Sequence, residues 1–495
     1  MRLSRLIQEA GIERVDGFRE VEVSRIAYVP EAAGGEGVLF ACVDEYHYNN
    51  RWGTARDWLE VLPRLGVVAL LSAEPVAGLP VPQLITADPR RAMGRVARLL
   101  CGKPDEGLRV IGVTGTNGKT TTARLVGHLL RAAAEPCATL GTLGLEAGPQ
   151  WVEPGAYTTP LAPELYALMA KVRSFGMAAM AMEVSSHALA LERVAGLTFE
   201  AAILTNLERD HLDFHGTLEA YAAAKARLFE RVERSGFGVV NAGSASFERF
   251  ARSCSGRVVT YGWDGMGADF EAARYVGSPA GSRFEVRWGG RAMPFQSRLA
   301  GRFQVENCLA ALALLLSMGK DPELLRAGLE TFDPVCGRME QFSLPAGGTA
   351  IVDYAHNPDG LRKVLETCRA LCAGRLHVVF GCGGDRDRGK RPLMGALAAE
   401  WADICWVTSD NPRTEDPAKI LEEIVSGMGA GKRVERVVDR AEAIRLAVAE
   451  ALPEDVVLIA GKGHEDYQII GLERRPFSDQ ATLLALGARH RVSPP

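Results

Sequence analysis

The feature that most constrains this chain is a glycine-rich loop between a short apolar run and a helical stretch. Residues 109–115 read RVIGVTG, and GTNGKTT follows over residues 115–121. In a strand–loop–helix unit, loop amides and the helix N-terminus can hold phosphate groups, a lysine can reach the outer phosphates, and a threonine hydroxyl can bind Mg²⁺. The loop is shorter than the standard phosphate loop, because Val113 stands at the first glycine position. We predict nucleotide binding rather than a glycine-rich turn with a coincidental lysine.

The arrangement of apolar runs, loops and helical stretches divides the 495 residues into three predicted domains. Residues 1–89 mix loops with short apolar runs such as Val67–Leu71, whereas residues 90–332 and 333–495 alternate apolar runs with helical stretches. Such alternation is typical of doubly wound α/β domains with a parallel sheet, which bind ligands at the carboxyl ends of their strands. We expect an N-terminal domain, a central phosphate-loop domain and a C-terminal Rossmann-like domain. The strands predicted for the last domain are Ala350–Asp353, Leu376–Phe380, Ile404–Thr408, Val434–Val438 and Val456–Ala460.

Charge and hydropathy exclude several classes of function. With 57 basic and 61 acidic residues, the chain has no basic excess to indicate a nucleic-acid partner. The opening MRLSRLIQEAGIERV lacks the apolar core of a signal peptide, and the apolar runs Met177–Met182 and Ala310–Met318 are too short to span a bilayer. We therefore expect no membrane insertion and a cytoplasmic location. The ten cysteines include no Cys-x-x-Cys pair, so neither a zinc site nor a redox motif is predicted.

Two polar residues follow apolar runs that we predict to be strands of the central sheet. Glu183 ends the run AAMAMEV, where a carboxylate would face the phosphate loop unless it simply caps a solvated strand end. His211 lies in NLERDHLDFHG, just past another such run. Considered alone, it is more typical of a hydrogen-bonded loop histidine than of a functional group.

Lys225 lies in the middle of an apolar helical stripe. The stripe consists of Leu218, Tyr221, Ala222, Lys225, Leu228 and Phe229. Burying an unpaired ammonium is costly, so the spacing by itself favours a lysine whose stem packs while its head reaches water. The alternative is a desolvated, neutral lysine that reacts with CO₂, because the resulting carbamate is an anionic metal ligand.

Taken together, nine segments resemble the Mur ligase family of bacterial cell-wall synthesis. They occur in family order between about residues 112 and 468, whereas the first domain matches chiefly through Ser24 and Arg25. The segments are GTNGKTT (115–121), YTTP (157–160), EVSSHAL (183–189), TNLERDHLDFHGTLEAYAAAKARLF (205–229), GRME (337–340), DYAHNPDGL (353–361), GCGGDRDRGKRPLMG (381–395), SDNPR (409–413) and GKGHEDYQ (461–468).

The resemblance implies three domains and an ATP-dependent ligase. In the family reaction, ATP phosphorylates a carboxylate, and an amine then displaces the phosphate to form an amide. The motifs are most similar to those of enzymes that add meso-2,6-diaminopimelate to UDP-N-acetylmuramoyl-L-alanyl-D-glutamate. The implied ligands are therefore ATP, Mg²⁺, this nucleotide dipeptide and a diamino acid, bound by a monomer.

The resemblance also assigns roles to individual residues of this chain. It implies catalytic roles for Lys119, Glu183, His211 and Lys225, and it favours a carbamylated Lys225, which reverses the preference drawn from spacing. The implied metal ligands are Thr120, Glu183, His211 and Lys225. The implied ATP-binding residues are Gly115, Thr116, Asn117, Gly118, Lys119, Thr120, Thr121, Asn307, Arg338 and Asp353.

Two further groups of residues are assigned to the other substrates. Leu191 departs from the family pattern, since close relatives often have a glutamine there, and one hydrogen bond to the nucleotide dipeptide is in doubt. The implied contacts to that substrate are Ser24, Thr158, Thr159, Ser185 and Arg193. Those to diaminopimelate are Arg386, Asp410, Asn411, Pro412, Arg413, Gly461 and Glu465.

Three other functions remain to be compared with this one. A sister ligase would add L-lysine or L-ornithine to the same precursor, but the lysine type lacks the arginine of DNPR. Folylpolyglutamate synthase would share the ATPase core without the DNPR and GKGHED segments. A phosphate-loop switch protein would bind nucleotide without substrate-dependent phosphate release, and it would leave the motifs after residue 333 without a role.

Overall fold

The computed structural model describes residues 1–43, 62–148, 152–155 and 157–491. Within these ranges, three sheets of five, eleven and seven strands follow one another, and a two-stranded hairpin lies beside the last. The predicted α/β architecture with three domains is therefore confirmed. In the described part of the chain, no helix has the length and apolarity needed to cross a membrane.

The N-terminal sheet has the order β1-β5-β4-β3-β2, with all pairs parallel except β1 and β5. Its strands are β1 (Arg14–Asp16), β2 (Arg25–Ala27), β3 (Val38–Ala41), β4 (Val67–Ser72) and β5 (Gln83–Ile85), and its first helix is α1 (Leu3–Ala10). The apolar run Val67–Leu71 lies in β4. Helix α2 (Pro89–Leu100) begins where the Asp88 side chain accepts from the Arg91 amide at 3.0 Å. Helix α2 contributes Met93 and Val96 to the core of the N-terminal domain. The end of this domain at residue 89 therefore stays a prediction.

The central sheet has seven parallel strands flanked by antiparallel additions at both edges. Its strands are β6 (Arg109–Thr114), β7 (Cys137–Gly141), β8 (Gly144–Glu146), β9 (Val152–Glu153), β10 (Ala179–Glu183), β11 (Phe199–Leu204), β12 (Val232–Asn241), β13 (Arg257–Trp263), β14 (Phe270–Ser278), β15 (Gly281–Trp288) and β16 (Arg291–Ser297). The order is β16-β15-β14-β13-β12-β11-β6-β10-β7-β8-β9. The prediction of a parallel sheet holds from β14 to β7, whereas β15, β16, β8 and β9 are antiparallel.

Helices cover both faces of this sheet, which makes the domain doubly wound. They are α3 (Lys119–Ala132), α4 (Ala162–Ser174), α5 (Ser186–Ala190), α6 (Leu212–His215), α7 (Leu218–Glu230), α8 (Phe247–Ser253), α9 (Arg302–Ser317) and α10 (Pro322–Glu330). One core lies against α3, α9 and α10, and the other against α4 and α7. Strands β6, β10 and β11 are buried on both faces, which explains their continuous apolar sequence.

The C-terminal sheet has the order β21-β20-β19-β22-β18-β17-β25, with the first five strands parallel. Its strands are β17 (Glu340–Ser343), β18 (Thr349–Asp353), β19 (Leu376–Phe380), β20 (Ile404–Val407), β21 (Arg433–Arg436), β22 (Val456–Ala460) and β25 (Arg489–His490), and the hairpin is β23 (Tyr467–Ile470) with β24 (Glu473–Pro476). The helices are α11 (Pro358–Leu371), α12 (Lys390–Trp401), α13 (Pro417–Val425), α14 (Arg440–Glu450) and α15 (Asp479–Ala485). All five predicted strands are present, with ends shifted by at most two residues.

Hydrogen bonds join the phosphate-loop region to the C-terminal domain. Asn117 Nδ2 donates to Asn357 Oδ1 at 3.3 Å, and Asn357 Nδ2 donates to Asp210 Oδ2 at 3.1 Å. Arg209 pairs with Asp387 at 3.3 Å. Because Asn357 also caps α11 by accepting from the Gly360 amide at 2.8 Å, the start of this helix is fixed against the loop. The contacts place the carboxyl ends of two sheets on one cleft.

Candidate active site

The backbone of the phosphate loop requires glycine at two positions. Gly115 has φ 149° and Gly118 has φ 84°, both in the region that favours glycine. A Cβ on Gly115 would lie 1.9 Å from Thr205 Oγ1, and one on Gly118 would lie 2.3 Å from Asn307 Oδ1. The loop is therefore packed against the end of β11 on one side and against α9 on the other.

Residues that follow β11 hold the phosphate loop in place through hydrogen bonds. The Asn117 amide donates to Asn206 Oδ1 at 2.9 Å, and Thr205 Oγ1 donates to the Asn117 carbonyl at 2.6 Å. The Thr116 amide donates to the Asn206 carbonyl at 3.0 Å. These bonds fix the loop before α3 begins at Lys119, so Thr120 and Thr121 lie in the first turn of that helix, at its positive end.

Lys119 folds back over the loop. Its Nζ donates to the carbonyls of Gly115 and Thr116, at 3.0 and 2.8 Å. Burial lowers the pKa of this ammonium, while the carboxylates of Glu183 and Asp210 oppose the shift. The Thr120 hydroxyl accepts from Arg338 Nη2 at 3.4 Å. A cation from each of two domains therefore lies at the loop that we predict to hold phosphate.

Glu183 occupies the carboxyl end of β10, next to β6. It is in register with Val113, and its residue exposure is 1%. Oε1 accepts from the Thr142 amide at 2.8 Å, and Oε2 accepts from the Thr142 hydroxyl at 3.2 Å. The alternative of a solvated strand terminus is wrong, because this carboxylate is buried and oriented by two donors.

Lys225 is buried along its whole length, with 1% exposure, so the interpretation of a head that reaches water is wrong. Its Nζ donates to the Gly115 carbonyl at 2.8 Å and lies 4.4 Å from the centre of the Tyr221 ring. Burial first, and then the charge of Lys119, hold its pKa well below the ordinary value. Of the predicted stripe, only Leu218 at the start of α7 is exposed, at 45%.

His211 joins this group from the loop after β11. Its backbone has φ 52°, and its amide donates to the side chain of the preceding Asp210 at 2.9 Å. The ring packs edge-on against His187 with centroids 4.8 Å apart. Burial lowers the pKa of His211 to about 3, and Lys225 and Lys119 add to the shift. The imidazole is therefore neutral at physiological pH, the form that can ligate a metal.

Asp210 is a buried carboxylate that sequence reasoning did not single out. Burial opposes its ionisation, but His211, His356 and Lys390 outweigh burial and hold its pKa below the ordinary value. The signal in the sequence was its position between Arg209 and His211 in a polar segment after a strand, which left it indistinguishable from its neighbours. Its contact with Asn357 makes it a link between the two domains.

The remaining predicted ATP residues surround the same loop. Asn307 is 5% exposed, and its Oδ1 accepts from the Thr122 hydroxyl at 3.4 Å. Arg338 lies 4.3 Å from the centre of the Tyr354 ring. Asp353 accepts from the amides of Met339 and Ala355, both at 2.8 Å, and burial raises its pKa. Its Oδ2 thus orients the GRME turn and its Oδ1 orients the segment after β18, and a contact to ribose stays a prediction.

The residues predicted to hold the nucleotide dipeptide lie mostly beside Glu183. Thr159 Oγ1 donates to the Glu183 carbonyl at 2.9 Å and accepts from the Ser185 amide at 3.0 Å. Arg193 Nη1 donates to the Thr159 carbonyl at 3.0 Å, and Thr158 Oγ1 is 3.0 Å from Thr142 Oγ1.

Two residues stand apart from this group. Ser24 is exposed in the N-terminal domain and donates to the Glu36 carbonyl at 2.8 Å. Leu191 follows the last residue of α5 and is 7% exposed, so its apolar side chain packs into the domain.

The residues predicted to bind diaminopimelate form a charged cluster at the carboxyl ends of β20 and β22. Asn411 Nδ2 donates to Glu465 Oε2 at 3.0 Å, and Arg413 Nη1 donates to the Gly384 carbonyl at 2.8 Å. Gly461 has φ 117°, and a Cβ there would lie 2.7 Å from Asp410 Oδ2. The cluster is therefore packed closely enough that its backbone and side chains fix one another.

Three basic residues of this cluster differ in backbone conformation or in burial. Arg413 has φ 51°, a strained backbone for a residue other than glycine, and the preceding Pro412 limits the turn. Arg386 is half-buried and donates to the Asp385 carbonyl at 2.8 Å. Lys462, to which sequence reasoning gave no role, is fully buried within the cluster. In the sequence, only its position between two glycines of the GKGHEDYQ motif distinguished it.

The predicted metal ligands do not form a cluster of histidines and carboxylates in the described residues. Within the described ranges, no group of three or more histidine, cysteine, aspartate or glutamate side chains is arranged to hold a metal ion. The predicted set contains one carboxylate, Glu183, and one imidazole, His211. A magnesium site here would therefore depend on the Thr120 hydroxyl and on an anionic form of Lys225.

Comparisons with known proteins agree with this geometry. The Mur ligase middle domain matches residues 113–315, and the Mur ligase glutamate ligase domain matches residues 337–463. The UDP-N-acetylmuramoyl-L-alanyl-D-glutamate–2,6-diaminopimelate ligase of Synechococcus elongatus is 45% identical over 423 residues, 85% of each chain. The enzyme of that name from Syntrophomonas wolfei is 39% identical over 484 residues, 97% of this chain and 98% of the relative.

Solved structures are similar over most of the chain. A ligase with the same name is 34% identical, covers 94% of both chains and has a TM-score of 0.65. Folylpolyglutamate synthase of Mycobacterium tuberculosis is 19% identical, with a TM-score of 0.62 over 74% of this chain and 91% of that chain. The second likeness shows a shared fold alone.

Proposed function

This chain belongs to the Mur ligase family, and on that premise we propose that it adds meso-2,6-diaminopimelate to UDP-N-acetylmuramoyl-L-alanyl-D-glutamate with consumption of ATP. The reaction supplies a precursor of peptidoglycan. The observation that carries the proposal is the convergence of two domains on the phosphate loop. Arg338 of the C-terminal domain reaches Thr120, and Asn357 reaches Asn117.

The residues present suit formation of an acyl phosphate. A carboxylate is a poor electrophile, and transfer of a phosphoryl group to it supplies a leaving group. The transferring group is highly charged, so Lys119, Arg338 and the loop amides act by offsetting that charge. Closure of the cleft between the domains would also keep water away from the acyl phosphate until the amine attacks.

The same residues fit a bound Mg²⁺. The Thr120 hydroxyl and the Glu183 carboxylate offer hard oxygen ligands, and His211 offers a neutral imidazole. Because burial lowers the pKa of Lys225, a larger fraction of its amine is neutral and able to react with CO₂, and a carbamate would add an anionic oxygen ligand. When bound, the metal would neutralise phosphate charge during transfer.

The amino-acid substrate would bind at the cluster around Arg413. Diaminopimelate carries a second carboxylate and a second ammonium at its far end, and Arg413 and Glu465 provide the opposite charges. Because one chain supplies every predicted site residue, and because ATP and a UDP-linked sugar are intracellular metabolites, we propose that it acts as a monomer in the cytoplasm.

Phosphate release should depend on both other substrates. We expect release from ATP only when the nucleotide dipeptide and a diamino acid are present, because acyl phosphate forms only on the bound carboxylate. The measurement is initial phosphate release with meso-diaminopimelate, L-lysine and L-ornithine in parallel, and meso-diaminopimelate should be the fastest. Equal release without the dipeptide or the amino acid would refute a ligase, and preference for L-lysine would favour the sister enzyme.

A further inference from the structure

Lys462 is a buried cation with no part in the phosphate site described above. Its side chain is 0% exposed, and its Nζ donates to Asn411 Oδ1 at 3.1 Å and to Glu465 Oε2 at 3.0 Å. It also lies 5.5 Å from the centre of the Tyr467 ring. A buried ammonium is costly unless it is paired and hydrogen-bonded, so Lys462 is stable here only while its two partners keep these orientations.

The pattern of hydrogen bonds leaves one oxygen of Glu465 for a ligand. In the part of the chain that the structure describes, Asn411 Nδ2 and Lys462 Nζ both donate to Oε2, and no hydrogen bond ends on Oε1. The Glu465 side chain is 14% exposed, whereas the Lys462 side chain is 0% exposed. A ligand can therefore contact Glu465 but not Lys462. Asn411 is fixed from its other side, since the Ile469 amide donates to its Oδ1 at 3.0 Å.

The charges of the cluster are close to balanced. Two carboxylates, Asp410 and Glu465, lie close to two cations, Lys462 and Arg413. Behind them, the fully buried Arg440 pairs with Asp479 at 2.8 Å, so this pair adds no net charge, although Arg440 also acts on Asp410 and Glu465. A nearly neutral cluster suits the end of an amino acid that carries one ammonium and one carboxylate.

We propose that Lys462 is the positioning residue of the amino-acid site, where it holds Oε2 of Glu465 so that Oε1 receives the distal ammonium of the substrate. The Lys462 ammonium also fixes Asn411, because it donates a hydrogen bond to Asn411 Oδ1. The inference rests on the proposed function, because it assumes that the cluster binds a diamino acid. It adds a residue that acts through Glu465 without touching the substrate.

Removal of Lys462 changes the titration of Glu465 in a defined direction. Burial first, and then Asp410, raise the pKa of Glu465, while Lys462 opposes both. Ammonium binding needs ionised Glu465, so kcat/KM for the diamino acid falls as the pH drops through this pKa. Without Lys462 the pKa is higher, and the fall occurs at higher pH. The charged or titratable groups that face Glu465 are Lys462, Asp410, Arg440, Tyr354 and Tyr467.

The test is the pH profile of kcat/KM for meso-diaminopimelate in wild type and in Lys462→Met. We expect the acid limb of the variant to move up by about one pH unit or more, the usual effect of losing an adjacent opposite charge. At neutral pH, KM for the amino acid should rise at least tenfold, while KM for ATP and for the nucleotide dipeptide stays within twofold. A structural lesion would raise all three KM values together.

The matched control removes the group that titrates. In a Glu465→Gln background, adding Lys462→Met should leave the acid limb in place, because no carboxylate remains for Lys462 to influence. Lys462→Gln serves the same purpose as the methionine variant if the latter does not fold. Superimposable acid limbs in wild type and the folded Lys462 variant would overturn the proposal. If wild type itself releases no phosphate with meso-diaminopimelate, it is the proposed function that fails.

Discussion

Replacing Lys225 with alanine is expected to lower kcat by roughly a hundredfold to a thousandfold or more, the range for loss of one group that stabilises transition-state charge. The side chain is buried against the Gly115 carbonyl at 2.8 Å, directly behind the predicted phosphates. Its carbamate would support Mg²⁺ at the transferring phosphoryl group, and alanine cannot form one. The measurement is kcat for phosphate release with all three substrates saturating.

Lys225→Arg is the control that separates charge from carbamylation. Arginine keeps the positive charge of an unmodified lysine but does not form the carbamate, so it should be as impaired as alanine. In wild type supplied with ¹³C-labelled bicarbonate, NMR should show a carbamate carbonyl that both variants lack. Near-normal turnover in Lys225→Ala, or a bare ammonium in a crystal structure with bound substrates, would contradict the prediction.

Replacing Arg413 with alanine is expected to reduce kcat/KM for meso-diaminopimelate several hundredfold or more. Truncating one member of a buried, charge-assisted pair costs about 2–5 kcal/mol, a range from roughly thirtyfold to a few thousandfold that includes this loss. The planar guanidinium can meet both oxygens of the distal carboxylate, which L-lysine lacks. Its backbone is held by the Ile469 carbonyl, which accepts from the Arg413 amide at 3.0 Å, and by the Gly471 amide.

The comparison of two amino acids makes this prediction specific. Activity with L-lysine should be low in wild type and should fall much less in Arg413→Ala, since no carboxylate is lost from that contact. Lys419, on the outer part of α13, provides a matched exposed cation, and Lys419→Ala should leave both values unchanged. A wild type that prefers L-lysine, or an unchanged preference in Arg413→Ala, would show that this arginine does not select the substrate.

The sequence by itself determined the α/β class and the three-domain organisation, and it named most residues of the proposed site. Both ends of the strands Leu376–Phe380 and Val456–Ala460 were predicted, because each mostly apolar run follows a charged residue and stops at a glycine. The phosphate loop was recognisable for a local reason, since its glycines and lysine act within one strand–loop–helix unit. Pairing between strands that are distant in sequence has no local sequence pattern, and the antiparallel strands at the sheet edges were not predicted.

Only the tertiary structure decided the state of the charged groups. Helical spacing could not tell whether Lys225 reaches water, because the answer depends on Gly115, which is distant in sequence and covers the ammonium. Asp210 and Lys462 were equally inconspicuous, since their roles arise from partners on other segments. Desolvation and charge pairing depend on what surrounds a group in three dimensions, and a periodic pattern along one helix or strand contains no information about those neighbours.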